Sequence, residues 1–250
     1  VMGIMQDGSI QMGNVRFASK ITLPGAGTFS IGKLNTGHSQ HDEMIMYSRR
    51  WGNATPEKTD RVATRVMLAA NGQVLRVNTE GRGMVIPEGG WVLSAVGPRR
   101  AQLGKATVGG IAQLQLGTNP SWPGLRHAIG GGPRLVAHGR PYVTATAESF
   151  RSDVSASAAP RSALAVMPNG DVLFVVADGR QSNYSAGLTL GELALFLVKQ
   201  GARDAMNLDG GGSTTLVVGG GLVNRPCDGC ERRVSNALLA FKADPSTASP

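Results

Sequence analysis

Short apolar runs, interrupted by Gly, Asn and Asp, recur along the chain and predict a series of β-hairpins. Turn residues lie between pairs of such runs at Asp7-Gly8, Asn71-Gly72, Asn169-Gly170 and Gly219-Gly220-Gly221. Asn-Gly and Asp-Gly accept the positive φ angles of tight hairpin turns, so they are strong hairpin signals. We therefore predict hairpins around residues 5–8 and within 62–77, 163–176 and 216–223.

One segment instead has the periodicity of a helix with a single buried face. The apolar positions of that face are Leu190, Leu193, Ala194, Leu197 and Val198. Thr189 can cap the first turn, Glu192 stands where a capping box needs its acid, and Gly201 provides the stop. The pattern predicts a helix over residues 190–200, with Leu193 and Leu197 in the core.

A strand is predicted at residues 205–208, and a glycine-rich loop follows it. The sequence there is Asn207-Leu-Asp-Gly-Gly-Gly-Ser-Thr-Thr215. Open sheets bind ligands at the carboxyl ends of their strands, so this loop is a candidate binding site. Residues 110–132 have little periodicity and contain many Gly, Pro and Trp residues, and we predict a long loop there.

The composition favours a β-rich globular fold. Glycine supplies 35 of the 250 residues, about twice its usual share, as expected for a fold with many tight turns. The length suits one large domain with a full core, and no shift in composition marks an internal boundary. We predict an α+β fold with mixed, mostly antiparallel sheets: a single domain over residues 1–243, followed by a tail or linker at 244–250.

The chain is basic, and its charge favours anionic partners. The formal net charge is +8 and the pI is near 10.1. Aromatic residues make up only 5%, and neither a basic stripe nor a stacking platform for nucleic acid is visible. No apolar run approaches the roughly 18 residues that span a bilayer. We expect an anionic small molecule or a cell-surface glycan as the partner, and no nucleic acid.

The two cysteines, Cys227 and Cys230, form a Cys-x-x-Cys pair with two open interpretations. A zinc site of this type needs a second pair, which the sequence lacks. A thioredoxin-like redox pair would lie at a helix start after a strand, whereas this pair follows Asn-Arg-Pro in a loop. We favour a structural disulfide in an exported or extracellular protein over two free thiols. The histidines show no metal-ligand spacing, so no metal or other cofactor is expected; they are His38, His41, His127 and His138.

The glycine-rich loop can be a phosphate-binding loop or a simple turn. Successive N–H groups of Gly210, Gly211 and Gly212 can form an anion-binding nest, to which Ser213 and Thr214 add hydroxyl donors. The loop lacks the Lys of a P-loop and the alternating acids of an EF-hand. The flanking Asp209 and the Ser-Thr-Thr run favour the binding interpretation.

Other charged residues also have both a structural and a functional interpretation. Asp178-Gly179-Arg180 ends a predicted strand and can be another turn. Glu192 can serve in the capping box alone. Arg161 can be a solvated loop charge, although the planar fork of an arginine is the preferred partner of phosphate.

The order of several short motifs resembles that of the phosphodiester glycosidase family. The motifs are Ala128-Ile-Gly-Gly-Gly-Pro-Arg-Leu-Val136, Pro160-Arg-Ser162, Val175-Val-Ala-Asp-Gly179, Leu188-Thr-Leu-Gly-Glu-Leu-Ala194, Asn207-Leu-Asp-Gly-Gly-Gly-Ser-Thr-Thr215, Val223-Asn-Arg-Pro226 and Arg232-Arg-Val-Ser-Asn236. The resemblance is strong over residues 128–241 and weaker over 47–55 and 89–97. The ordered set is specific, although no single motif is.

The resemblance implies hydrolysis of a sugar-1-phosphodiester, which releases the sugar and leaves a phosphomonoester. It implies catalytic positions at Asp209, Glu192, Asp178 and Arg161. The residues expected to contact the substrate are Gly210, Gly211, Gly212, Ser213, Thr214, Arg180 and Asn224. A leaving phosphate needs cations and N–H donors, and the sugar needs a carboxylate that activates water or stabilises an oxocarbenium-like centre.

One part of the family pattern is missing. The family is expected to carry an Asn-Gly-Gly-Phe-Phe-like strand early in the domain, and this chain contains no Phe-Phe. We therefore expect an N-terminal segment, either removed or present as a separate chain, to complete one wall of the site. Two other functions stay open: a non-catalytic module for anionic cell-wall polymers, which needs no paired carboxylates, and a metal-dependent phosphodiesterase, which needs a cluster of His and Asp.

Overall fold

The structure is a computed structural model that describes residues 1–37, 44–57 and 62–242. The predicted tail at 244–250 and two of the histidines, His38 and His41, lie outside the described residues. The first strands are β1 Met2–Met5, β2 Ile10–Met12, β3 Arg16–Phe17, β4 Ser19–Leu23, β5 Gly27–Ile31, β6 Lys33–Leu34, β7 Met44–Tyr47, β8 Thr64–Leu68, β9 Val74–Asn78 and β10 Trp91–Ala95. They are followed by β11 Gln113–Gln115, β12 Thr118–Asn119, β13 Leu125–Ile129, β14 Arg134–Ala137, β15 Arg140–Pro141, β16 Arg161–Val166, β17 Val172–Ala177, β18 Asp204–Asn207, β19 Val217–Val218 and β20 Gly221–Leu222. The helices are α1 Arg99–Leu103, α2 Ser152–Ala156 and α3 Leu190–Lys199, and Gly211–Ser213 form a 3-10 turn.

The chain forms two compact units, which the sequence does not anticipate. The first comprises Val1–Gly13 and Gly124–Pro250, and the second comprises Asn14–Pro123. The predicted α+β class is confirmed, because short helices accompany several mostly antiparallel sheets. Among the strand pairs of the described residues, β6 and β7 are parallel and the others are antiparallel. No helix in the described part of the chain is long and apolar enough to cross a membrane.

The first unit is built on a five-stranded sheet in the order β15-β14-β18-β16-β17. Helix α3 covers one face and buries the side chains predicted for it, namely Leu190, Leu193, Ala194 and Leu197. The predicted capping box is present at its first turn. The opposite face packs Leu164, Val166 and Met206 against Met2, which belongs to the three-stranded sheet β13-β1-β2.

Truncation of Leu197 to Ala is expected to lower the free energy of unfolding by about 2–5 kcal/mol, because it opens a cavity under α3. Leu197 is fully buried, whereas Leu195 on the same helix is 62% exposed. The matched change Leu195→Ala should therefore shift stability by less than about 0.5 kcal/mol. Urea unfolding of both variants measures the difference, and equal effects would show that α3 packs by another face.

The second unit is a pair of packed sheets. The sheet β6-β7-β10-β8-β9 lies against the sheet β11-β4-β5 through a common apolar cluster. The clustered side chains include Ile21, Leu23, Phe29 and Ile31 from the smaller sheet. The other face of the larger sheet is covered by a second cluster, which contains Ile45, Tyr47, Met84, Ile86 and Val92.

The predicted hairpins are confirmed, but the predicted long loop at residues 110–132 is wrong. Hairpins β1–β2, β8–β9, β16–β17 and β19–β20 turn at the expected positions. Residues 110–132 instead contribute β11, β12 and β13, which pair with β4, β3 and β1. The strand that pairs with each of them is distant in the sequence, and most of their side chains are exposed. These segments therefore lack the alternation of apolar and polar residues by which a strand is predicted.

Candidate active site

Three strand ends of the first unit meet at one edge of its five-stranded sheet. Strand β16 begins at Arg161, which pairs with Ala177 at the end of β17. Strand β18 ends at Asn207, which pairs with Ala163 near the start of β16. The residues that follow β17 and β18, Asp178 and Asp209, therefore leave the sheet at the same edge at which Arg161 enters it. The antiparallel register brings the predicted site residues of three separate motifs to one place.

A cavity of about 890 Å³ opens at this edge, on the face of the sheet opposite α3. Asp209 and Ser213 of the glycine-rich loop line it, as do Ser162 and Phe174 of the sheet. Its other wall is the segment 231–239, which follows the two cysteines. The cavity is large enough to hold a small ligand, and both polar loop residues and apolar strand residues contact its interior.

The three glycines of the loop are needed because the chain itself packs closely against them. A Cβ on Gly210 would lie 2.8 Å from the carbonyl oxygen of Pro160. Gly211 has a φ of +61°, which disfavours other residues, and a Cβ there would lie 3.1 Å from Nη1 of Arg180. The place of a Gly212 Cβ is occupied by the guanidinium of Arg232. The loop thus brings two guanidinium groups against consecutive glycines.

Two of the three N–H groups in the predicted anion-binding nest have hydrogen-bond partners within the chain. The N–H of Gly210 donates to its neighbour Asp209 over 3.0 Å, and the N–H of Gly211 donates to the Pro160 carbonyl over 2.9 Å. These bonds engage both N–H groups within the chain, at the start of the 3-10 turn. The cations beside the loop, rather than its backbone alone, are therefore the main anion-binding groups that the structure offers.

Within the loop, the side chains have distinct environments. Asp209 is exposed at the cavity, and Ser213 lines the same wall. Thr214, which the sequence analysis groups with Ser213, is 1% exposed, and its hydroxyl lies 3.4 Å from that of Ser162. Thr214 is therefore a packing residue, whereas the next residue, Thr215, lines the cavity. Asp209, Ser213 and Thr215 are therefore loop side chains available to a ligand.

Asp178 is held by several donors at the end of β17. Its carboxylate accepts hydrogen bonds from the Asn224 side chain at 3.0 Å, from the Arg225 N–H at 3.0 Å and from the Tyr184 hydroxyl at 3.1 Å. The Arg225 guanidinium lies over the Tyr184 ring, 5.0 Å from its centroid. Asn224 also donates to the Thr214 carbonyl. With these groups engaged, the geometry favours positioning roles for Asp178 and Asn224 over the predicted contacts with substrate.

Arg161 is directed into the protein rather than into the cavity. Its guanidinium donates to the carbonyl oxygens of Leu188, Val154 and Ser157 at 2.7–2.9 Å, and the residue is 4% exposed. Burial, followed by the nearby charge of Arg180, lowers the pKa of Arg161 from its usual value. Arg161 therefore organises the loops around the site, and its predicted phosphate contact is not supported by this geometry.

Arg180 is the exposed member of this arginine pair. It has a φ of +55° and lies against Gly211. It also lines a second, smaller cavity of about 470 Å³ formed by the loop 180–186. The structure thus keeps Arg180 as a candidate anion-binding residue, as the sequence analysis predicts.

Several cavity-lining residues of the 231–239 wall are not among the predicted site residues. Arg232 forms an ion pair with Asp228 at 2.6 Å and covers Gly212. Arg233 and Glu231 also line the cavity. The motif Arg232-Arg-Val-Ser-Asn236 is one of those that resemble the family. This resemblance was the sequence feature that could have indicated a role for the segment in the site.

Glu192 lies in the capping box of α3, where it exchanges hydrogen bonds with Thr189. Its carboxylate accepts from the Thr189 N–H and hydroxyl, both at 2.8 Å. These hydrogen bonds, from the backbone first and then the side chain, lower the pKa of Glu192. The predicted catalytic role is therefore less well supported than the structural one.

Glu192→Gln is expected to leave turnover within about threefold of the wild type, because Gln can accept the same capping hydrogen bond. Glu192→Ala, which removes the acceptor, should instead lower the stability of the protein. Steady-state kinetics and thermal unfolding of the two variants separate the roles. A fall of about 100-fold in kcat for Glu192→Gln would instead show that Glu192 has a catalytic role.

The cysteine pair differs from its prediction, because the structure has Cys227 and Cys230 as free thiols. The thiol of Cys227 lies 3.6 Å from a carboxylate oxygen of Asp228, to which it donates, and Cys230 is exposed. The intervening Gly229 has a φ of +78° and shapes the turn. The Cys227 thiol is thus directed at the carboxylate that also binds Arg232, rather than at Cys230.

Alkylation of the native, unreduced protein is expected to modify both thiols, with Cys230 reacting faster because it is the more exposed. Mass spectrometry over a time course measures the two rates. If labelling requires prior reduction, the two cysteines form a disulfide after all, and this result would support the expectation of an exported protein.

Comparison with known proteins places this site in a family. A family model described as phosphodiester glycosidase matches residues 64–241, which include every strand end at the cavity. The chain belongs to the phosphodiester glycosidase family. The match includes the 231–239 wall as well as the glycine-rich loop, so the family resemblance inferred from the motifs is confirmed.

Several relatives of this chain are much longer proteins. The Mus musculus N-acetylglucosamine-1-phosphodiester alpha-N-acetylglucosaminidase is 33% identical over 193 residues, which cover 71% of this chain and 36% of that protein. A hypothetical protein from Synechocystis has a TM-score of 0.75 at 30% identity over 91% of this chain and 42% of its own. A protein from Burkholderia pseudomallei has the same fold, with a TM-score of 0.72 at 23% identity over 91% of this chain and 54% of its own. The chain therefore spans little more than a third of the length of the curated relative.

Proposed function

We propose that the protein is a hydrolase that cleaves the bond between a sugar's anomeric carbon and a phosphodiester, on a cell-surface or exported glycan. The products are the free sugar and a phosphomonoester. The observation that carries the proposal is the meeting of a carboxylate, a hydroxyl and guanidinium groups at the 890 Å³ cavity of a phosphodiester glycosidase domain. The name of the mouse relative, which specifies a sugar-1-phosphodiester substrate, supports the same reaction.

The phosphate is assigned to the arginine side of the glycine-rich loop. Arg232 and Arg233 line the cavity, and Arg180 lies against the neighbouring glycine. Guanidinium groups bind phosphate oxygens through paired, charge-assisted hydrogen bonds. As the sugar–phosphate bond breaks, negative charge grows on the departing phosphate, and fixed cations stabilise it. Ser213 provides a neutral donor at the same wall.

The sugar is assigned to Asp209. Its carboxylate is exposed to the cavity and has one hydrogen bond from within its own loop, so it can still accept a proton or face a developing positive charge. In this role it activates the attacking water or stabilises an oxocarbenium-like anomeric centre. A phosphate is a good leaving group, so the departing side needs cations more than a general acid. Glu231, the other carboxylate at the cavity, is the second candidate for this role.

The experiment that tests the proposal uses small substrates. The protein is incubated with aryl phosphodiesters of several α-linked sugars, and the released sugar and aryl phosphate are measured separately. Equal amounts of free sugar and aryl phosphomonoester support cleavage at the anomeric carbon. Release of the aryl alcohol with a sugar phosphate would indicate a phosphodiesterase instead. Binding without any release would favour the non-catalytic module for anionic polymers.

A further inference from the structure

The charge of the chain is unevenly divided between its two units. Residues 14–123 carry thirteen Lys and Arg against six Asp and Glu, a formal net charge of +7. The remaining residues carry twelve and eleven, a net charge of +1. The basic character of the protein is therefore a property of the second unit, and the unit that holds the candidate active site is nearly neutral.

One sheet of the second unit has a wholly polar outer face. The inward side chains of β4 and β5 enter the common core, so the alternation along each strand directs the others outward. These outward residues, all exposed, are Lys20, Thr22, Thr28, Ser30, Gln113 and Gln115. The strand register places them in two rows, Gln115–Lys20–Ser30 and Gln113–Thr22–Thr28. We call these six residues the outer face.

Basic side chains extend the outer face at both ends of β4. Arg16 is exposed, while the adjacent Phe17 packs against the core, so the same alternation directs Arg16 toward the side of Lys20. At the other end, the exposed residue Lys105 has its carbonyl beside Gly25 in the β4–β5 turn. The span from Arg16 to this turn is about 30 Å of strand.

No acidic residue opposes this charge in the segments that build the sheet. The stretches 8–41 and 89–147, which supply β3, β4, β5, β11 and β12, contain no Asp or Glu. Positive potential over such a surface attracts polyanions and raises their local concentration. Between the cations, the hydroxyl and amide side chains of the outer face can donate to and accept from polyol hydroxyls.

We propose that the outer face, with Arg16 and Lys105 at its ends, binds a glycan polymer that carries phosphodiester groups. The cations bind the phosphates, and the Thr, Ser and Gln side chains bind the hydroxyls between them. The choice of this polymer rests on the proposed function, because the same molecule then supplies the sugar-1-phosphodiester that the first unit cleaves. The second unit thereby retains a long substrate during successive turnovers.

The composition of the outer face argues against two other polyanions. Single-stranded nucleic acid is bound by aromatic side chains that stack on its bases, and the outer face has none. Membrane surfaces are bound by apolar side chains inserted beside basic ones, and none of the six residues is apolar. Hydroxyl and amide groups between cations instead match a phosphorylated polyol.

The test measures binding of the full chain to poly(glycerol phosphate), with neutral dextran as the uncharged control. The affinity is expected to fall steeply between about 50 and 200 mM salt, because counterions are released on binding. Lys20→Glu should weaken binding by about 10-fold or more, and the milder Lys20→Gln by less. Arg76→Glu is the matched control: Arg76 is exposed in the same unit, but it lies opposite Met67, on the other face of the larger sheet. Its effect should stay within about twofold.

Hydrolysis of a small glycosyl phosphodiester by the same variants separates this inference from the proposed function. Lys20→Glu should keep kcat and KM for the small substrate while raising KM for the polymer. Equal losses in Lys20→Glu and Arg76→Glu, binding of dextran, or tighter binding of single-stranded DNA or phosphatidylglycerol vesicles would overturn the inference. If no sugar is released from any substrate but polymer binding still depends on Lys20, the proposed hydrolase activity is wrong, whereas the inference that the outer face binds the polymer is supported.

Discussion

Asp209→Asn is expected to lower kcat by about 10³-fold or more, with little change in KM or stability. The amide keeps the size of the side chain and can still accept the hydrogen bond from the Gly210 N–H, so the loop should fold normally. It cannot accept a proton from water or balance a positive anomeric centre. Because Asp209 is exposed, its replacement removes no packing.

Steady-state kinetics with an aryl phosphodiester measure kcat and KM of Asp209→Asn, and circular dichroism of the same preparation measures whether the variant is folded. Asp153→Asn is a suitable control, since Asp153 is an exposed carboxylate of α2 in the same unit. The control should keep full activity. If Asp209→Asn turns over normally, the carboxylate role belongs elsewhere, and Glu231→Gln becomes the decisive variant.

Gly212→Ala is expected to lower kcat/KM by about 10²-fold while the fold survives. The added methyl group would occupy the place of the Arg232 guanidinium and the Asp228 carboxylate, which are the flexible ends of two side chains. They can move away without disturbing the backbone, so the expected loss is the alignment of Arg232 with a bound phosphate. Steady-state kinetics of Gly212→Ala test the expected loss of kcat/KM, and urea unfolding of the same variant tests whether the fold survives.

Gly210→Ala provides the contrast. Its Cβ would meet the backbone carbonyl of Pro160, which cannot rotate away, so this change should lower stability as well as activity. Gly130→Ala, at a cavity-lining glycine with open space around its Cβ position, should leave the fold intact. A Gly212→Ala variant that unfolds like Gly210→Ala would show that Gly212 serves packing and not the placement of Arg232.

Local patterns were sufficient to predict the hairpins and α3. Asn71-Gly72 and Asn169-Gly170 form tight turns, and Thr189 with Glu192 form a capping box, because their partners lie within a few residues. Strand β13 was missed because it pairs with β1, more than a hundred residues earlier, and its own side chains are mostly exposed. Pattern reasoning detects alternation only where one face of a strand is buried.

The location of the candidate site was predictable, but most roles within it were not. The family motifs predict catalytic roles for Arg161 and Asp178, yet the structure engages both in hydrogen bonds within the protein. A motif contains the residues that shape a site as well as those that contact the substrate. The two kinds of residue are distinguished by their hydrogen-bond partners in the folded protein. Arg161 donates to the carbonyl oxygens of Val154, Ser157 and Leu188, and no spacing in the sequence specifies these contacts.

The interrupted chain path of the first unit has a consequence for the order of folding. Pairing of Met2 with Ile129 in the β1–β13 ladder closes a loop that contains the whole of Asn14–Pro123. Closing so long a loop in an unfolded chain costs about 2 kcal/mol more entropy than closing a loop of a dozen residues. If residues 14–123 have already collapsed, the ends to be joined are held closer and the search shortens. During synthesis this contiguous segment emerges completely before β13 does, so pulse-labelled amides should become protected there first and in β1 last.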